Sequence, residues 1–242
     1  LSFLENMSGN PDQELIDACF KIQDSKSSDG EPKDPRFIIP VVSSIKRVEL
    51  VKHLPDFVRA EDNVFLGALT RMGDRVGRHA LLFRDEPDEE TPSLTGMTLC
   101  EQIVYLHKLN FADAGIPQRR YLGVLKLCLE ENEVYNDRVL MAALDHMSGT
   151  FLVGTESLPL AFMRTCILVL TMHESLHSWI AQSLLPRLVD GKIYDDPRQW
   201  EGWMRCAHYL EKSEDQGVRV EDAISKLPAE QMMQYQTKWA GK

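Results

Sequence analysis

The chain has 242 residues, 43% of them hydrophobic and 26% charged, which suits one large domain or an elongated array of small units. Its 27 basic residues against 37 acidic ones leave a formal net charge of −10, so direct binding of nucleic acid is not the expected role. The longest strongly apolar run, "CILVLTM" (166–172), falls well short of the roughly 20 residues a membrane-crossing helix needs, and no membrane partner is expected.

The predicted elements are helices almost throughout. Asn10-Pro11 reads as an N-cap followed by proline at the first helical position, opening "DQELIDACFKI". A polar linker with glycine and proline, "DSKSSDGEPKD" (24–34), follows. "PRFIIPVVSSI" then leads into two amphipathic segments, "KRVELVKHL" and "EDNVFLGALTRM". The stretch "RDEPDEETPSLTG" (84–96) is acidic and proline-bearing and reads as a solvated surface loop. Beyond it Thr98 and Glu101 form a capping box, each side chain satisfying a backbone donor near the other, and launch "LCEQIVYLHKL". "PQRRYLGVLKLCLEEN" comes next, then "NDRVLMAALDHM" with an expected stop at Gly149, then "LPLAFMRTCILVLTM". "SLHSWIAQSLLPRLV" stops at Asp190-Gly191, Asp196-Pro197 caps "PRQWEGWMRCAHYLEK", and "VEDAISKL" and "AEQMMQYQTKW" close the chain. Alternation of period two, the signature of a half-buried strand, is nearly absent.

Roughly ten or eleven helices with short connections predict an all-α fold of stacked antiparallel helix pairs, a HEAT-like irregular α-solenoid. No strict repeat is visible, so the array is irregular. Such surfaces serve proteins more often than small molecules. The five cysteines are widely spaced, with no C-x-x-C pair, and most sit in apolar helical runs, where a free thiol behaves as a small hydrophobe. A reducing compartment is the plain expectation. The start at Leu1 reads as the edge of a piece taken from a longer protein, with any targeting signal lying outside it.

One string points to enzymatic chemistry. "HESLH" is a His-Glu-x-x-His match, in which His173 and His177 would bind zinc from one helix face and Glu174 would polarise the bound water, with Glu201 as a conceivable further ligand. Two arguments weigh against it. Chance placement of 7 His and 19 Glu produces the string in roughly 1–2% of chains this long. A single helix holding the motif would also run from about Leu160 to Leu185, beyond the roughly 8–20 residues of a globular helix. A break near Thr171–Ser175, with Ser175 as N-cap of the second helix, gives two ordinary helices and destroys the i, i+4 geometry. No metal and no cofactor are therefore expected.

Six stretches of the sequence resemble one family. "LPLAFMRTCILVLTM", "LPRLV" and "DPRQWEGWMRCA" follow the order of the symplekin C-terminal domain: a Met-Arg-Thr helix, a turn, a helix ending in Arg-Leu, and a Pro-x-x-Trp-Glu-Gly helix with a cysteine. "PRFIIPVVSSIKRVELVKHLPDFV" resembles that domain's opening, "LCLEENEVYNDRVLMAALDHM" its middle, and "ISKLPAEQM" its Leu-Pro segment near the end. The resemblance spans about residues 35 to 235. It divides the chain into an N-terminal helix and linker (1–34) and a symplekin C-terminal-like helical domain (35–242), with 84–96 as an acidic insertion. What it implies is a nuclear, non-catalytic scaffold of pre-mRNA 3′-end processing. The implied partners are the C-terminal regions of the endonuclease and of its inactive paralogue in the cleavage and polyadenylation specificity factor. The family typically shows an aromatic–proline turn where this chain has His173-Glu174-Ser175, in keeping with a helix break there.

The residues proposed to meet a partner are four tryptophans and a methionine. Trp200, Trp203 and Met204, at i, i+3 and i+4, share one helix side, which suits either a core stripe or, with Trp179 or Trp239, an aromatic hot spot. Arg164, inside "AFMRTCILV", reads as a paired structural arginine.

Overall fold

The computed structural model describes residues 11–25, 33–74, 79–84, 94–213 and 219–239. Asn10, most of the linker 24–34 and the interior of the acidic stretch 84–96 lie outside the described residues. The described residues form helices joined by turns and irregular segments, with no strand. Their only bridge of β type joins Lys46 to Thr95. The helices fall into two compact units, Leu1–Cys128 and Leu129–Lys242.

In the first unit α1 (Gln13–Ser25) starts later than the sequence suggests. Its N-cap is Asp12, whose Oδ1 accepts the amide of Leu15 at 2.8 Å, because the aspartate directly after the proline offers the same cap chemistry two residues beyond Asn10. Two 3-10 turns, Pro35–Phe37 and Ile39–Ser44, bury Val41 and Val42 and lead to α2 (Arg47–Arg59). This helix continues through Pro55, five residues past the expected end. The missing amide is outweighed by the packing of Phe57 and Val58, both 0% exposed. Its last carbonyls are met by Arg120, which donates to Val58 O at 2.6 Å and to Ala60 O.

α3 (Asp62–Gly73) and α4 (Leu99–Lys108) follow. The capping box of α4 is present as read from the sequence: Glu101 N donates to Thr98 Oγ1 at 3.0 Å and Thr98 N to Glu101 Oε2 at 2.8 Å. Glu101 does more than cap. It is fully buried and also binds Arg47 Nη1 (2.5 Å) and Arg84 Nη2 (2.7 Å), so one carboxylate ties α2, the start of the acidic stretch and α4 together. Burial alone would raise the Glu101 carboxyl; the hydrogen bonds from Arg84 and from the Thr98 amide outweigh it and hold it below the usual glutamate range. On the other side of that stretch Gly96 takes φ +61°, and a Cβ there would lie 2.7 Å from the Met72 carbonyl, so only glycine fits. The division between the units falls inside α5 (Gln118–Glu130).

In the second unit α6 (Asp137–Leu152) is capped by Asn136, which accepts from Arg138 N and Val139 N. It runs past the expected stop at Gly149 to Leu152, and the left-handed glycine that follows is Gly154 (φ +71°). α7 (Phe162–Met172) ends at His173. α8 comprises three consecutive stretches, an α turn His177–Trp179, a π turn Ile180–Leu184 and an α segment Leu185–Asp190. The π turn ends two residues before Pro186 and widens the coil where the proline ring would crowd the preceding turn. α9 (Pro197–Glu211) is capped by Asp196, as its Asp-Pro start predicts. α10 (Glu221–Ser225) and α11 (Ala229–Trp239) complete the unit.

α7 and α9 cross closely. A Cβ on Gly202 would lie 2.4 Å from the Cβ of Met163, so the absent side chain is what lets the backbones approach. One turn further along both helices Cys166 and Cys206 are neighbours, and their shared burial raises both thiols. The contacts climb both helices in the same order, so α7 and α9 run parallel. This is the arrangement expected of the leading helices in successive antiparallel pairs. The all-α expectation thus matches the structure, and all five cysteines are buried free thiols.

Candidate functional site

The two histidines of the His-Glu-x-x-His string sit on either side of a break. His173 leaves the helical region (φ −133°, ψ 76°), residues 174–176 form a 3-10 turn, and α8 begins at His177. The break lies within the interval anticipated from helix length. Its physical basis is visible around it: the ring of His173 points into the unit, with Nδ1 2.8 Å from Asp137 Oδ1 and Nε2 3.3 Å from the Leu129 carbonyl. His177 Nε2 meets the Leu170 carbonyl at 2.6 Å, closing the turn of chain between them. Nitrogens that face carbonyl oxygens carry their protons there and have no lone pair to offer a metal. Ser175 does not cap α8; its hydroxyl donates to Asp137 Oδ2. That bond, with His173 beside it, holds the Asp137 carboxyl below the usual aspartate range against the effect of burial.

Glu201, the further ligand a metal site would want, is occupied elsewhere. It accepts from Arg205 Nε at 2.9 Å and from Lys238 Nζ, and these contacts, Lys238 first, lower its carboxyl. Among the described residues no group of three or more His, Cys, Asp or Glu side chains could hold a metal ion. Glu174 is exposed on the turn.

The aromatic stripe lies in the packed interior of the second unit. Trp203 is 0% exposed, Trp200 5% and Met204 6%. The two indoles stack with centroids 5.1 Å apart, Trp200 Nε1 donates to Gln234 Oε1 at 3.0 Å, and Trp203 Nε1 to the Leu185 carbonyl at 3.1 Å. Tyr235 of α11 meets Trp203 edge-on, and its hydroxyl donates to Glu211 Oε2. The stripe therefore joins α8, α9 and α11. Trp179 and Trp239 are partly exposed, and Trp239 stacks flat on His208 at 3.9 Å between centroids. Arg164 is exposed rather than buried in an ion pair.

A second feature was not read from the sequence. The helices α7, α9 and α11 enclose a groove of about 490 Å³ lined by Ile167, Leu170, Cys206, His208, Tyr209 and Trp239, with Arg205 and Lys212 on its rim. The only signal for it in the sequence is the spacing of Arg205, Tyr209 and Lys212 at i, i+4 and i+7, on the opposite side of α9 from the tryptophans.

A family model described as "Symplekin tight junction protein C terminal" matches residues 34–239. No solved structure matches the chain. The match covers most of the chain, and the chain belongs to the symplekin C-terminal family.

Proposed function

We propose that this member of the symplekin C-terminal family is a non-catalytic scaffold domain of the pre-mRNA 3′-end cleavage and polyadenylation machinery. Its partners in this reading are the C-terminal regions of the endonuclease and of that enzyme's inactive paralogue, and its place is the nucleus. The observation that carries the reading is the family match over residues 34–239. It is supported by helices packed in parallel register, a form that presents extended surfaces to other proteins, and by a net charge of −10, which suits protein partners better than direct RNA contact. The zinc-hydrolase alternative loses its support at the break after Met172, where both histidines are engaged by backbone carbonyls.

Co-expression with affinity-tagged C-terminal regions of the two nuclease subunits tests the reading. The chain is expected to co-purify with them through a salt wash and to accumulate in the nucleus of cells expressing the full protein. Recovery of neither region, or retention of the protein at cell junctions with none in the nucleus, contradicts it.

A further inference from the structure

The tryptophans that the sequence singled out are largely used in packing, which leaves open where a partner engages the second unit. The groove between α7, α9 and α11 has the composition for it. Tyr209, 42% exposed, stands edge-on to the ring of His177, and Trp239 lies flat on His208, so two large aromatic faces are held in place before anything binds. Ile167 and Leu170 add aliphatic wall from α7. Aromatic residues and arginines fixed at the edge of an apolar recess are the side chains that dominate binding energy at protein interfaces.

The charge of the described groove lining runs against that of the chain. The described lining includes Arg205 and Lys212 and no carboxylate, although the chain carries ten more acidic than basic residues. One helical turn before Ile167, on the same side of α7, Arg164 is exposed and makes no ion pair with a described residue. At the rim Glu201 is shared by Arg205 and Lys238, two cations on one carboxylate, leaving that group net positive.

We infer that this groove docks an acidic, amphipathic segment of a partner protein, which seats an aliphatic or aromatic anchor between Leu170, Tyr209 and Trp239 and sets carboxylates against Arg164, Arg205 and Lys212. The inference rests on the scaffold reading above and names the surface that serves it. The apolar recess accounts for affinity, and the cationic rim for the choice of an acidic segment over a basic one.

The test is a peptide array probed with the purified domain. The array carries overlapping peptides from the C-terminal regions of both nuclease subunits, model amphipathic acidic peptides, and versions of each with Asp and Glu replaced by Lys. The wild type is expected to capture acidic amphipathic peptides, and their Lys versions to be captured about tenfold more weakly. Tyr209→Asp and Arg164→Glu, both at exposed positions, are each expected to weaken capture about tenfold or more, with far-UV circular dichroism unchanged. Arg36→Glu, on the surface of the first unit, leaves it unaltered. Should Tyr209→Asp disturb folding, Arg164→Glu alone decides the point. Capture that ignores the groove substitutions, favours the Lys versions or is absent overturns the inference, as does displacement of the peptides by single-stranded RNA. A wild type that captures model acidic peptides through the groove but no nuclease-derived one leaves the groove standing and overturns the nuclease partnership.

Discussion

His107, 4% exposed near the end of α4, donates from Nδ1 to the Ile103 carbonyl at 2.8 Å. Burial lowers its pKa to about 4, since a charged imidazolium has little solvation there. The sign of the linkage follows. The unfolded chain takes up a proton near pH 6.5 and the folded one near 4, so stability present above pH 6.5 is lost progressively as the pH falls towards 4. At pH 5 this one ring costs about 2 kcal/mol relative to pH 7. Urea midpoints measured at pH 7 and pH 5 are expected to fall with pH in the wild type and to fall less in His107→Asn, which keeps a donor at the Nδ1 position. His173 supplies a second residue-level prediction. Its removal strips partners from the Leu129 carbonyl and Asp137, so His173→Ala is expected to lower stability by about 1–3 kcal/mol. Zinc content after equilibration with the metal, read by elemental analysis, is expected to be the same in wild type and variant. A zinc ion per chain that disappears in His173→Ala would restore the hydrolase reading.

At the scale of elements, the α7–α9 contact depends on an absent side chain. Gly202→Ala puts a Cβ 2.4 Å from that of Met163, and neither atom is the end of a flexible chain, so the helices must separate. A loss of about 1–3 kcal/mol in denaturant unfolding is expected. In the first unit Glu101→Gln leaves Arg47, 1% exposed, without its countercharge. Breaking a buried pair from one side costs about 3–5 kcal/mol, enough to abolish the unit's cooperative transition at moderate temperature. These elements also mark what the sequence could disclose. The caps Thr98/Glu101 and Asp196 were legible because both partners lie within three residues of each other. Asp12 displaced Asn10 in the reading of α1 only by a shift within the same chemistry. Pro55 concealed the true end of α2, because the burial of Phe57 and Val58 that carries the helix past it is tertiary. Gly149 suggested a stop, whereas the left-handed turn sits at Gly154.

For the whole molecule, the all-α character was legible from the missing period-two pattern and the family from short motifs in order, because each is a property of contiguous sequence. The groove was not. Its walls come from Ile167 and Leu170, from Cys206 to Lys212 and from Trp239, and nothing in any one of these stretches announces the other two. The Glu101 cluster was hidden for the same reason, since Arg47 and Arg84 lie 54 and 17 residues away. The string His173–His177 shows the converse. It was the most conspicuous signal in the sequence, and it becomes a turn because carbonyls of Leu129 and Leu170 take up its rings. The central claim is that the chain holds a nuclease rather than acting as an enzyme. Its most direct test is size-exclusion chromatography, with light scattering, of the purified domain mixed with the C-terminal regions of the endonuclease and its inactive paralogue. The account predicts a single species containing one copy of each. Elution of the domain at its own mass, apart from both regions, would contradict it.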